Sequence, residues 1–273
     1  MLTREEIIKD WLPRYTGAGL DKFGDYILLT NFKQYMLDFA EIESSPIYGE
    51  SHPMQLSTSK DGISIINFGI GSPNAALIMD LLTAIKPKAV LFLGKCGSLK
   101  RKIKIGSLIL PIAGIRGEGT SDDYADPKLP SLPSFRLQRA VSSTIIHYRH
   151  DYYTGTVYST NKRLWEYDED FKNHLKSLRP TAIDMEVATI FITGFVNEIP
   201  RGALLLVSDE PMAPEGVKTS KSDKKVTQNY SHNHLMIGID SLRELRDSGK
   251  SVKHLRFDVS SSSSSDRFDQ EPS

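Results

Sequence analysis

Three short runs of aliphatic, mostly β-branched or leucine residues constrain this chain more than any other feature. Residues 63–68 run into Gly69-Ile70-Gly71-Ser72-Pro73, residues 89–93 run into Gly94-Lys95-Cys96-Gly97, and residues 107–112 lead into a polar loop over 116–134. A strand that is apolar at nearly every position has both faces covered, which happens when helices flank a largely parallel sheet. Helical segments are expected over 74–85, 135–148, 168–178, 186–196 and 228–245, with further strands over 26–29, 154–159, 181–184 and 203–207. The alternation predicts an α/β fold: a central, mostly parallel or mixed twisted sheet flanked by helices in three layers. Near the start, Thr3 and Glu6 have capping-box spacing for a helix that Pro13 is expected to end. A second helix is expected over 32–40, and 41–60 reads as loop with some extended structure.

A chain of 273 residues can bury one sizeable core. Residues 1–259 are expected to form a single catalytic domain. Residues 260–273 open with six serines and read as a disordered tail, because they hold too little apolar surface to offset the entropy of ordering. Thirty-four basic and 34 acidic residues cancel, so no electrostatic reason exists to expect nucleic acid or a membrane surface as partner. The single cysteine, Cys96, fits a reducing, cytoplasmic setting. Neither a secretory signal nor a run of the roughly 20 apolar residues that cross a bilayer is present.

In doubly wound sheets ligands gather at the carboxyl ends of strands, so chemistry is expected just past each run. Gly69-x-Gly71 serves equally as a tight strand–helix turn or as an anion loop, because a dinucleotide fingerprint would need glycine where Asn74 stands. Lys95 is either a surface lysine in a turn or a point charge for a phosphate. Glu186 either favours a helix N-terminus or accepts sugar hydroxyls. Ser208-Asp209, after an apolar strand, is either a cap or a general acid whose pKa desolvation raises. None of the seven histidines has zinc-ligand spacing, so neither metal nor cofactor is expected.

Taken in order, four strand-end segments resemble the nucleoside phosphorylase and nucleosidase family. They run from Phe68 to Pro73, from Leu93 to Gly97, from Ile183 to Ala188 and from Val207 to Asp209. The likeness is closer to the AMP nucleosidase branch, through the segments from Asp25 to Asn31, Gly155 to Glu166, Gly216 to Thr219, His234 to Ile239 and His254 to Phe257. The resemblance implies hydrolysis of the N-glycosidic bond of AMP to adenine and ribose 5-phosphate. It implies that Asp209, beside Ser208, protonates purine N7. Glu186 would hold the ribose 2′- and 3′-hydroxyls, Met185 would pack on the sugar, Trp165 would face the base and Gly71 would border the substrate. Lys95, with Asn31, Lys33 and Arg116 as further candidates, would hold the 5′-phosphate, and Glu118 is the candidate to position water. Related phosphorylases hold their attacking phosphate with an arginine three residues before the serine of a Gly-Ser-Cys-Gly turn. Phe92 stands at that position here, which points to water as the nucleophile. The alternatives are a phosphorylase or nucleosidase of unphosphorylated purine nucleosides, or a purine-nucleotide-binding protein without catalysis. The family also implies a homo-oligomer, a hexamer built from dimers, in which residues 42–54 could complete a neighbour's site.

Overall fold

The computed structural model describes residues 2–213 and 216–248; the serine run and the segment from His254 to Phe257 lie outside the described residues. In chain order the elements are α1 (Arg4–Thr16), β1 (Tyr26–Thr30), α2 (Lys33–Ile42), β2 (Ile47–Tyr48), β3 (Gln55–Thr58), β4 (Ile63–Asn67), α3 (Ser72–Leu81), β5 (Ala89–Ser98), β6 (Leu108–Gly117), α4 (Phe135–His147), β7 (Tyr152–Thr160), α5 (Glu169–Leu178), β8 (Ala182–Asp184), α6 (Val187–Val196), β9 (Arg201–Asp209) and α7 (Ser220–Asp247). The sheet runs β2-β3-β4-β1-β5-β8-β7-β6-β9, and β9 also pairs with β5. Five strands therefore close a ring, from which β1, β4, β3 and β2 extend as an open wing. The β1–β4, β1–β5, β5–β9, β6–β7 and β7–β8 pairs are parallel, and the other four pairs are antiparallel.

The seam of this arrangement is β5, buried at every one of its ten positions. The sequence reading placed a turn at Gly94-Lys95-Cys96-Gly97, but these residues continue the strand. Gly94, Lys95 and Cys96 pair in register with Leu205, Leu206 and Val207 of β9. Backbone pairing on the second side outweighs the weak strand preference of glycine. Only glycine fits at 94, since a Cβ there would lie 2.5 Å from the Phe92 ring. Similarly β6 runs five residues past its expected end, because it bulges at Ile112 and then resumes pairing with β7.

Helices cover both faces. Leu12, Ile78, Met79, Phe92, Ile190, Phe191 and Val207 belong to the core beneath α1, α3 and α6. Phe39, Leu91, Leu93, Val141, Leu206, Leu235 and Leu242 belong to the core beneath α2, α4 and α7. On the second face Tyr35 Oη lies 2.8 Å from His234 Nδ1, and His234 Nε2 lies 3.0 Å from the Leu204 carbonyl. Burial depresses the His234 pKa to about 4, so the ring is neutral near pH 7: Nε2–H donates to Leu204 and Nδ1 accepts from Tyr35.

Among the helix boundaries that differ from expectation, two have a clear physical cause. Pro13 lies inside α1, which ends instead at Gly17 in the left-handed conformation. Buried Leu12 and Thr16 hold the last turn on the core, while proline costs only the hydrogen bond to the Lys9 carbonyl. Helix α7 starts eight residues before its expected first residue, at a capping box in which Thr219 and Ser222 satisfy each other's backbone N–H groups. Among the described residues no helix is long and apolar enough to cross a membrane.

Candidate active site

A cleft opens where the ends of β1, β5, β7, β8 and β9 converge, and its lining includes two buried carboxylates of separate origin, Asp209 and Glu186.

Asp209 ends β9. Between Cys96–Val207 and Gly97–Asp209 the β5–β9 register shifts by one, leaving Ser208 as an extra residue. Such a bulge re-aims the side chain that follows it. Ser208 Oγ donates to Asp209 Oδ1 at 2.6 Å. Burial pushes the Asp209 pKa upward, against the hydrogen bond from Ser208 and the charges of Lys218 and Arg163; the Glu166 charge adds to the upward shift. The other oxygen sits over Gly97, where a Cβ would lie 3.3 Å from Asp209 Oδ2 and 2.9 Å from Pro211 Cγ. Gly97→Ala should therefore displace the carboxyl and lower the turnover of this site by roughly tenfold or more, the usual cost of a misplacement near 1 Å being up to about 10²-fold. Steady-state kinetics against thermal unfolding checks this: turnover falls while the melting temperature moves by a few degrees. Unchanged turnover would mean that contact with Gly97 does not position Asp209.

Glu186 is held from two sides. Asp184, at the end of β8, accepts from Ser159 Oγ at 2.6 Å through Oδ1, and from the backbone N–H groups of Glu186 (3.1 Å) and Val187 (2.7 Å) through Oδ2. Those bonds satisfy the first two N–H groups at the start of α6, Ser159 Oγ accepts the next from Ala188 at 2.9 Å, and together they set the direction in which Glu186 leaves the helix. Glu186 Oε1 then accepts from the Gly71 N–H (2.8 Å) and from Asn31 Nδ2 (3.2 Å). The Gly71 N–H can point there because Gly71 has φ +95°, a conformation other residues resist. Burial raises the pKa of both Asp184 and Glu186, and the Asp184 charge pushes Glu186 further up.

Asp209, Ser208, Glu186, Met185, Trp165, Lys95 and Asn31 line this one cleft. Gly71 stands behind it and reaches it only through Glu186. Three other sequence candidates lie elsewhere. Lys33 is exposed at the start of α2. Arg116 is consumed within its own loop, donating to the carbonyls of Ser121, Ala125, Asp126 and Leu129 and to Asp122. Glu118 is buried outside the cleft and accepts from Thr189 Oγ1 (2.5 Å) and the Ser121 N–H (3.2 Å). For Arg116 and Glu118 the extension of β6 to Gly117 and the fold of the following loop are responsible, and neither leaves a strong signal in the sequence. Conversely, Phe32, Lys162, Arg163, Glu166 and Lys218 line the cleft without having been singled out. Four of them fall inside the segments 155–166 and 216–219 that carried the family resemblance, so the signal was present but was not read residue by residue.

Lys95 does not project as a free charge. Its Nζ donates to Asp223 Oδ1 and Thr227 Oγ1, both at 2.8 Å, and lies 4.4 Å from the Phe32 ring centroid. Burial lowers its pKa against the pull of Asp223. Lys218 shares Asp223 at 3.0 Å. For Asp223 burial acts upward, but the bonds from Lys95 and Lys218 hold its carboxyl below the usual range.

A family model described as the phosphorylase superfamily matches residues 25–243, which include every strand and the whole cleft. The chain belongs to that superfamily. A crystal structure of an AMP nucleosidase from Bacteroides thetaiotaomicron superposes with a TM-score of 0.82 at 51% identity, covering 91% of this chain and 100% of that one. The AMP nucleosidase of Escherichia coli is 29% identical over 283 residues, covering 87% of this chain but 58% of that protein, so the chain spans little more than half of that relative's length. A purine nucleoside phosphorylase from Toxoplasma gondii, at 16% identity and a TM-score of 0.75, shares the fold. The fold is thus common to superfamily members of differing names.

Proposed function

We propose that this chain hydrolyses the N-glycosidic bond of AMP, releasing adenine and ribose 5-phosphate. The observation that carries this reading is the pair of buried carboxylates in one cleft, one tied to a serine at a strand bulge and the other tied to backbone at a helix start. Asp209, whose pKa burial raises, donates its proton to purine N7 as the C1′–N9 electron pair moves onto the base. Glu186 accepts the ribose 2′- and 3′-hydroxyls on Oε2, the oxygen that neither Gly71 nor Asn31 occupies. Met185 packs on the sugar and Trp165 on the base. Lys95 and Lys218 share a single carboxylate, and the resulting surplus positive charge suits the 5′-phosphate. The names of the Bacteroides thetaiotaomicron and Escherichia coli relatives support the same reading.

Water is the nucleophile in this proposal: its oxygen bonds to C1′ as the C1′–N9 bond breaks, the proton it loses passes to solvent, and Asp209 takes one back from solvent before the next turnover. Phe92, where related phosphorylases carry their phosphate-binding arginine, is fully buried with its ring 5.9 Å from Phe68, so that position supplies no cation. Product analysis tests the reading. Adenine and ribose 5-phosphate should form from AMP at the same rate with and without inorganic phosphate. Release of adenine only in the presence of phosphate would instead mark a phosphorylase. We further propose a homo-oligomer in a reducing, cytoplasmic setting. Exposed Ile70, Leu164 and Tyr167 are apolar surface that a second copy could cover.

A further inference from the structure

Glu166 follows Trp165 in a short 3₁₀ turn (Trp165–Tyr167) at the cleft wall, and its side chain is almost entirely buried. Oε1 accepts from the Arg163 guanidinium at 3.1 Å. Among the described residues Oε2, equally inaccessible, has no partner. A buried acceptor left without a donor is costly, and such groups ordinarily meet a protein group, water or a ligand. The residue lines the same cleft as Asp209 and Trp165. It is also close enough to Asp209 for its charge to act on that carboxyl, adding to the dominant effect of burial.

Purine geometry gives this placement a meaning. N7 and the substituent at C6 lie side by side on one edge of the base. On that edge adenine offers an acceptor at N7 and an N–H donor at C6, whereas hypoxanthine and guanine offer acceptors at both. Given the proposed role of Asp209 at N7, we infer that Glu166 accepts a hydrogen bond from the 6-amino group of the base and so selects adenine over 6-oxopurines. A carboxylate oxygen facing a carbonyl would lose its donor and repel the substrate. Sites built around such a buried group discriminate far more strongly than an apolar pocket can. The two acidic residues then divide the edge, with Asp209 donating to N7 and Glu166 accepting from the amine. Arg163 holds Glu166 in place through the oxygen that does not contact the base.

This inference rests on the proposed position of the base, but its test does not require turnover. Calorimetric binding of adenine, hypoxanthine and unsubstituted purine to the intact wild-type chain should show adenine bound roughly tenfold or more tightly than either other base. In Glu166→Gln the amide can turn its N–H₂ toward a carbonyl, so the preference for adenine over hypoxanthine should shrink to about threefold or less. The same collapse should appear in kcat/KM for AMP against IMP. Equal binding of adenine and hypoxanthine, or of adenine and purine, by the wild type overturns the inference whether or not the variant folds. A uniform loss for all bases in Glu166→Gln also overturns it, by reducing Glu166 to a packing role. If the wild type selects adenine, and loses that selectivity in the variant, yet does not cleave AMP, the hydrolytic reading fails while the assignment of Glu166 stands.

Discussion

Asp209→Asn should lower kcat for AMP by roughly 10²–10⁴-fold, the usual worth of a positioned general acid, with little change in KM. Asparagine keeps the shape of the carboxyl and the contact with Ser208, but its amide cannot supply an acidic proton to N7. The wild-type pH profile should carry the signature of the same group. Burial raises the Asp209 pKa, and the acid works only when protonated, so kcat should fall as pH rises through that raised value. In the variant this basic limb should disappear. Stability moves the other way. A carboxyl whose folded pKa lies above its unfolded one contributes stability below the ordinary carboxylate range, and loses it as pH rises through the folded value. Near neutral pH the asparagine variant should therefore be at least as stable as the wild type. Activity within tenfold of wild type, with an unaltered pH profile, would remove Asp209 from the proton-transfer step.

Glu186→Gln should lower kcat/KM for AMP by roughly tenfold or more, since two hydrogen bonds from ribose hydroxyls are at stake and each is worth about 0.5–1.5 kcal/mol. The discriminating comparison is with 2′-deoxy-AMP. The wild type should penalise the missing hydroxyl, and in the variant that penalty should largely vanish, because the acceptor that reads it has been weakened. A variant that slows both substrates equally would make Glu186 a structural anchor for Gly71 and Asn31. Here too pH separates the cases. Glu186 is pushed upward by burial and then by Asp184, so wild-type stability should decline as pH rises above the ordinary carboxylate range through the raised value. Glutamine, having no ionisation to suppress, should flatten that decline.

The layered α/β architecture was legible in the sequence because it follows from local pattern. Unbroken apolar runs must be covered on both faces, and the intervening amphipathic segments supply the cover. The residue types at the strand ends, Ser208-Asp209 and Asp184-Met185-Glu186, were legible for the same reason. What escaped was long-range. The extension of β5 through Gly94 to Gly97 depends on a second strand, β9, more than a hundred residues away. The withdrawal of Arg116 depends on how its own loop closes over it. The cations Lys162, Arg163 and Lys218 lie on connecting segments that carry no periodicity.

The sequence by itself determined that two carboxyl groups would stand at the ends of buried strands, because hydrophobic periodicity sets where strands stop. Only the tertiary structure decided that they share a cleft, since their convergence needs the ring closed by β9 on β5 and the one-residue bulge at Ser208. It also decided that Lys95 is partnered by Asp223, and that Glu166 is buried beside Asp209 with an oxygen unoccupied. Charge and burial at a site are sums over neighbours brought from distant parts of the chain, and a linear sequence does not state which neighbours those will be.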